Sequence, residues 1–269
     1  MTTSAYLYCL AGILGREFRR FLQQRTRFLS SLVRPLLWLV VFAAGFRAAL
    51  GIAIIPPYET YITYEVYITP GLVGIIILFN GMQSSLSMVY DREMGSMRVL
   101  LTSPLPRAYL LVAKLLAGAL VSLAQVYAFL LLARLIDVEP PAIGYLTALP
   151  AVVLSALMLG ALGLLLSSLI RQLENFAGVM NFVVFPMFFL SSALYPLWKM
   201  REASELIHTL CVLNPFTHAV ELIRFALYGQ FNAGAFWITA GTTVVLTAAA
   251  ILGFDPGRGM FRKGPPKGA

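Results

Sequence analysis

The chain has 269 residues, a formal net charge of +8, 59% hydrophobic residues and only 12% charged ones; its mean hydropathy is +0.81. Ordinary soluble domains carry about a quarter charged residues, so this composition excludes a soluble enzyme and indicates a polytopic membrane protein. No segment combines a basic stripe with interleaved aromatics, so nucleic acid is set aside, and basic cytoplasmic loops account for the positive charge.

From Ala5 to Leu29, apolar residues (Leu10, Ile13, Leu14, Phe18, Phe21, Leu22) alternate with Arg16, Arg19, Arg20 and Gln23 at helical spacing. This pattern predicts an interfacial helix over residues 5–30, its arginines toward anionic headgroups. Its basic region is too long for a cleavable signal, and no small-residue cleavage site follows Arg34.

At about 20 apolar residues per crossing, six spans are predicted. They run from Leu32 to Ile54, Tyr67 to Tyr90, Tyr109 to Leu135, Tyr145 to Leu169, Phe176 to Leu194 and Ala233 to Phe254. Basic residues gather before the first span, around the second connection, at Arg171 and in the tail, whereas the first and third connections hold Glu59, Glu65, Asp137 and Glu139. Both termini are therefore expected in the cytoplasm. Cys9 and Cys211 then fall on opposite sides, cannot pair within one chain and have no metal-type spacing.

Polar residues within the spans are expensive and so informative. Arg34 and Arg47 bracket the first span and are expected to reach opposite headgroup layers; a place for Arg47 in a substrate path is the alternative. Asn80, Ser84 and Ser87 share one face of the second span, suited either to helix packing or to lining a path. Phe182, Phe185, Phe188 and Phe189 form a stripe on the fifth span, open to the same two readings. Pro186 interrupts that helix and permits a bend.

Two connections stand out. Asp91 opens the insert DREMGSMRVLLTSPLPRAYL, whose helix-like run from Gly95 to Leu101 stops at Pro104. Asp91, Arg92, Glu93 and Arg98 would orient a soluble partner, and Met97, Leu100 and Leu101 would supply apolar contact. The long external connection from Tyr195 to Asn232 contains two half-length helical patterns broken at Asn214-Pro215, with His218 and then Glu221 and Arg224 three apart. Each half is too short to cross, so the pair is expected to dip into the membrane and return as an external gate. His208 and His218 lack carboxylate–histidine spacing, so no metal is expected.

These features together, above all DREMGSMRVLLTSPLPR and LNPFTHAVELIR, resemble the permease subunits of type-2 ATP-binding-cassette exporters, the group that includes nodulation-factor, antibiotic-efflux and polysaccharide export permeases. The resemblance covers essentially the whole chain. It implies a single transmembrane domain over 1–269 in the all-helical type-2 exporter fold. It also implies a cytoplasmic coupling segment at 91–107 and external re-entrant half-helices within 195–232. A second permease copy and two copies of an ABC ATPase subunit are the implied partners, in a bacterial inner membrane. The chain contains no GxxxxGK[ST] loop, so ATP and Mg would be held by the partner ATPase. A secondary transporter and a non-transporting membrane scaffold remain as rival readings. The first normally carries central carboxylates that these spans lack, and the second leaves the polar and aromatic faces unexplained.

Overall fold

The computed structural model describes residues 3–23, 25–46, 56–60, 62–94, 105–170 and 172–254. In chain order the helices are α1 (Thr3–Gln23), α2 (Arg25–Phe46), α3 (Tyr64–Glu93), α4 (Arg107–Ala133), α5 (Ala142–Leu169), α6 (Leu173–Phe189), α7 (Leu197–Ala203), α8 (Glu205–Leu213), α9 (Pro215–Leu227) and α10 (Ala233–Gly253). A short 3-10 turn, Arg134–Ile136, closes α4.

The architecture is all-helical and centred on α3 and α5. The helix α3 packs against α2, α4, α5, α6 and α9, while α5 also packs against α4, α9 and α10. Small residues permit the α3–α5 approach, as expected where helices associate without a hydrophobic driving force. A Cβ on Gly81 would lie 3.0 Å from the Leu159 carbonyl oxygen, and one on Gly163 would lie 2.6 Å from the Ser85 hydroxyl. The tightest approach is at Gly144, where a Cβ would lie 1.9 Å from the Leu227 carbonyl oxygen. Thr147, one turn on, donates to the Ala226 carbonyl at 2.6 Å and so ties α5 to the end of α9.

Among the described residues, four helical stretches are long and apolar enough to cross a membrane: Tyr64–Tyr90, Arg107–Ile136, Ala142–Leu169 and Ala233–Gly253. They correspond to the second, third, fourth and sixth predicted spans. A bent pair, α8 with α9, raises the count to five if it is one span.

The other predicted spans need correction. The first was expected to begin at Leu32, but α2 begins at Arg25, with Arg25–Leu29 in α2 rather than in the interfacial helix. Within α2, Ser31–Val41 is an apolar stretch; residues 47–54, Arg47 among them, lie outside the described residues. The fifth was expected to reach Leu194, but α6 is a 17-residue helix that stops at Phe189. Leu190 leaves helical geometry, the Ser191 hydroxyl donates to the Phe188 carbonyl at 2.6 Å, and Ala193 N–H donates back to Ser191 Oγ at 3.2 Å. This side-chain turn competes with helical hydrogen bonding and ends the helix early.

The amphipathic N-terminal segment is helical as expected, but its apolar side has a protein partner. It packs along α4, where Tyr6 and Tyr109 meet edge to face at 5.0 Å and the Tyr109 hydroxyl donates to the Tyr6 carbonyl. Arg16 and Arg19 remain exposed on the other side, and Arg20 is exposed at the edge of the contact, so the helix largely divides its faces as its sequence dictates.

Candidate transport path and the bent helix pair

The polar face of α3 borders two spaces that share Asn80. The larger is a cleft of about 430 Å³ between α2, α3 and α4, lined in part by Arg34 and Trp38 of α2, Phe79 and Gln83 of α3, and Gln125 of α4. The smaller, about 30 Å³, lies under α1, where Glu17 and Arg20 approach Ser84, Ser87 and Gly118. Asn80 is nearly buried and bridges to α4, donating to the Gly118 carbonyl at 3.1 Å and to Ser122 Oγ at 2.6 Å. Ser87 turns inward, its hydroxyl donating to the Ser84 carbonyl at 2.6 Å. Asn80 thus fastens α3 to α4, as the packing reading expected, and the three residues together border the small space under α1.

Arg34 is not confined to the end of its helix as a headgroup contact. Its guanidinium sits over the Phe79 ring, 4.7 Å from the centroid, at the wall of the cleft. Ser31, Gln83 and Gln125 complete a polar lining that sequence reasoning did not assemble. Gln125 is the one side-chain amide in the predicted third span, and this was the signal that could have drawn notice.

The phenylalanine stripe divides. Phe188 is fully buried and packs on Trp38 at 5.3 Å and Phe216 at 6.3 Å, joining α2, α6 and α9. Phe182, Phe185 and Phe189 point away, with exposures of 79%, 40% and 48%. None of the four lines the α2–α3–α4 cleft.

The connection between α6 and α10 folds as the short helix α7 and then two half-helices, α8 and α9, bent at 74°. Asn214 makes the corner. Its side-chain oxygen accepts from Phe216 N–H at 3.0 Å, and its amide donates to the Met187 and Leu190 carbonyls at 2.7 and 2.6 Å. Pro215 occupies the first turn of α9, where a missing N–H costs nothing. Thr217 donates to the Cys211 carbonyl at 2.6 Å, and His218 Nε2 lies 2.9 Å from the Val212 carbonyl. The otherwise orphaned C-terminal carbonyls of α8 are thus satisfied by side chains of α9.

Arg224 fixes the hairpin to α3. It is buried, pairs with Glu221 at 2.8 Å, and donates to Tyr67 Oη at 3.0 Å and the Ser192 carbonyl at 2.8 Å. Its guanidinium also lies 4.0 Å from the Tyr67 ring centroid. Tyr67 and Tyr64 themselves donate to the Ser192 and Leu194 carbonyls, each at 2.9 Å. The spacing of Glu221 and Arg224 was legible as a pair; the Tyr64–Tyr67 clamp on the turn was not. Before α3, Tyr58 packs edge to face on Tyr228 at 4.7 Å. Burial raises the Tyr58 phenol well above its ordinary value and pushes Tyr228 up to about 12, so both stay protonated at neutral pH.

Of the insert, α3 continues through Asp91 and Arg92 to Glu93, and Glu93 and Met94 are exposed. Met97, Arg98, Leu100 and Leu101 lie outside the described residues. Among the described residues no group of three His, Cys, Asp or Glu is arranged to hold a metal ion.

Comparison with known proteins agrees with this architecture. The chain is 27% identical over 260 residues to the protein named transport permease ycf38 of Cyanophora paradoxa, covering 91% of this chain and 86% of that protein. It is 29% identical over 208 residues to the protein of the same name from Pyropia yezoensis, covering 76% and 68%. Nodulation protein J of Rhizobium leguminosarum bv. viciae is 23% identical over 215 residues, covering 79% of this chain and 80% of that protein. A family model described as ABC-2 type transporter matches residues 9–228. With that match spanning most of a chain built from long apolar helices, this is an integral membrane protein that belongs to the ABC-2 type transporter family.

Proposed function

We propose that the chain is the permease subunit of an ATP-driven exporter that moves an amphipathic, lipid-linked or hydrophobic molecule outward. It forms one transmembrane domain with six crossings, α2 and α6 completing the set, with the bilayer thinned around the 17-residue α6. Both termini and the 91–107 segment face the cytoplasm of a bacterial inner membrane. Two copies make the pathway, and two ATPase subunits bind ATP and Mg and dock on the coupling segments through Asp91, Arg92, Glu93, Met97, Arg98, Leu100 and Leu101.

The observation that carries this reading is the continuity of α3. Its 30 residues extend about 45 Å at 1.5 Å per residue. At one end Tyr64 and Tyr67 grip the 192–194 turn and Arg224 of the hairpin; at the other the helix runs straight into the polar insert. A push on the insert is carried to the hairpin along this one helix, which Pro70 interrupts about one turn beyond Tyr67, with Asn214, Pro215, His218, Glu221 and Arg224 forming the outer closure. Cargo follows the Asn80, Ser84 and Ser87 face. Phe182, Phe185 and Phe189 turn toward the second permease copy, and Phe188 braces the hairpin.

The test is co-purification with the ATPase and measurement of substrate-driven ATP turnover in lipid for the Glu93→Ala/Arg98→Ala double variant. Charge pairs on a surface segment set register more than raw affinity, so the variant is expected to insert normally while ATPase association and turnover fall. Full association with full substrate-driven turnover would remove the insert as the coupling element.

A further inference from the structure

The geometry points to a binding site for an anionic amphiphile in the cleft between α2, α3 and α4, with Arg34 receiving the anionic group. This deepens the export reading above by giving the ligand's chemistry. Arg34 is exposed at the wall of this open cleft rather than enclosed in packing, so its charge is within reach of a ligand that enters. Arg34 makes no ion pair with the described residues; it rests over Phe79, a contact that uses only the face of the guanidinium. Its five donors lie in the guanidinium plane, leaving them for a planar or tetrahedral oxyanion.

A second observation is independent of Arg34. Gln125 is 2% exposed, and its Oε1 has no hydrogen-bond partner, although its Nε2 donates to Ser31 Oγ at 3.0 Å. That unpaired oxygen lies just behind the wall of the 430 Å³ cleft, where a turn of the Gln125 side chain would present it as an acceptor to a ligand. The P–OH of a phosphate monoanion, or a hydroxyl beside the anionic group, would supply that donor.

The cleft is also polarised along the helices. Ser31, Gln83 and Arg34 lie toward the Arg25 end of α2 and the Glu93 end of α3; Trp38 and Ile75 to Ile76 lie one to two turns further in. An amphiphile would therefore sit with its head on the side of the coupling segment and its chain toward the membrane centre. The volume accommodates a phosphate or carboxylate, one or two hydroxyls and part of an acyl or prenyl chain. Both a resident anionic phospholipid and a lipid-linked phosphorylated cargo have this chemistry.

Trp38 in the cleft supplies the readout. The test uses the full chain carrying Trp198→Phe and Trp237→Phe, in nanodiscs of zwitterionic lipid without the ATPase, titrated with dodecyl phosphate brominated on its chain. Saturable quenching of Trp38 is expected. Arg34→Gln should weaken it on the order of ten- to a hundredfold, the loss of a charge-assisted hydrogen-bonded contact, and Arg34→Lys should recover part of that. Brominated dodecanol should give only unsaturable quenching that Arg34 does not affect. Equal affinity in Arg34→Gln and the parent, each monodisperse and equally thermostable, overturns the proposal, as does saturable binding of the alcohol with equal strength. Competition by phosphatidylglycerol in the disc assigns the site to a resident lipid. Retained binding without such competition assigns it to a phosphorylated cargo. Because no ATPase is present, a failure of coupling leaves this result untouched.

Discussion

Replacing Arg224 by Met removes the charge that holds the α8–α9 hairpin while retaining most of the side chain's volume. In the native protein Arg224 is 2% exposed and bonds to Glu221, Tyr67 and the Ser192 carbonyl. Removing one partner of a buried pair costs about 3–5 kcal/mol, because the other charge is left uncompensated. The Glu221 side chain is 18% exposed and recovers some solvation, so the lower half of that range is expected. In a chain of this length about 1 kcal/mol shifts the midpoint by roughly 2–4 °C, so the loss amounts to about 6–15 °C. Cys211 is fully buried in α8, and on a Cys9→Ser background its reaction with a thiol-activated fluorophore reports opening of the hairpin during a thermal ramp. The Arg224→Met/Glu221→Gln double variant should recover at least about 1 kcal/mol of the loss, since the orphaned charge is gone. A midpoint within about 2 °C of the parent for Arg224→Met would refute the claim that this network secures the hairpin to α3.

Three further outcomes follow from placement. Phe188→Ala should cost about 3–5 kcal/mol of stability because that ring is fully buried, whereas Phe185→Ala/Phe189→Ala should leave stability nearly unchanged and alter transport or permease dimerisation; the same thermal ramp alongside a transport assay separates them. Gly144→Ala should undo the α5–α9 contact, since its Cβ would lie 1.9 Å from a backbone oxygen that cannot swing aside; a loss of more than about 2 kcal/mol is expected, read as early Cys211 labelling. A membrane-impermeant thiol reagent on intact spheroplasts should label Lys199→Cys but not Ser96→Cys, and should leave native Cys211 unreacted because it is buried; external labelling at Ser96→Cys would place the insert on the wrong face for a cytoplasmic ATPase.

Much of this architecture was readable along the chain, because the governing signals are local. Length and apolarity identified α3, α4, α5 and α10; helical alternation identified α1; and Asn214-Pro215 marked the corner between α8 and α9. Each depends on residues within a few turns of one another, where 3.6-residue periodicity and proline's missing N–H act without reference to the rest of the fold. The early end of α6 is different. Ser191 turns the chain there, and the turn is held by Tyr64 and Tyr67 about 125 residues away in sequence. Whether a polar residue faces lipid, a neighbour or open space is likewise decided by packing. Arg34 read as a headgroup contact until α3 brought Phe79 and Gln83 beside it, and Gln125 was one amide among leucines until α2 met α4. The four phenylalanines were equivalent by spacing, yet only Phe188 faces inward, because helical phase shows which residues share a stripe and not which neighbour the stripe meets. Local physics thus set the helices and their class, and the tertiary arrangement decided which of their polar groups converge on a site.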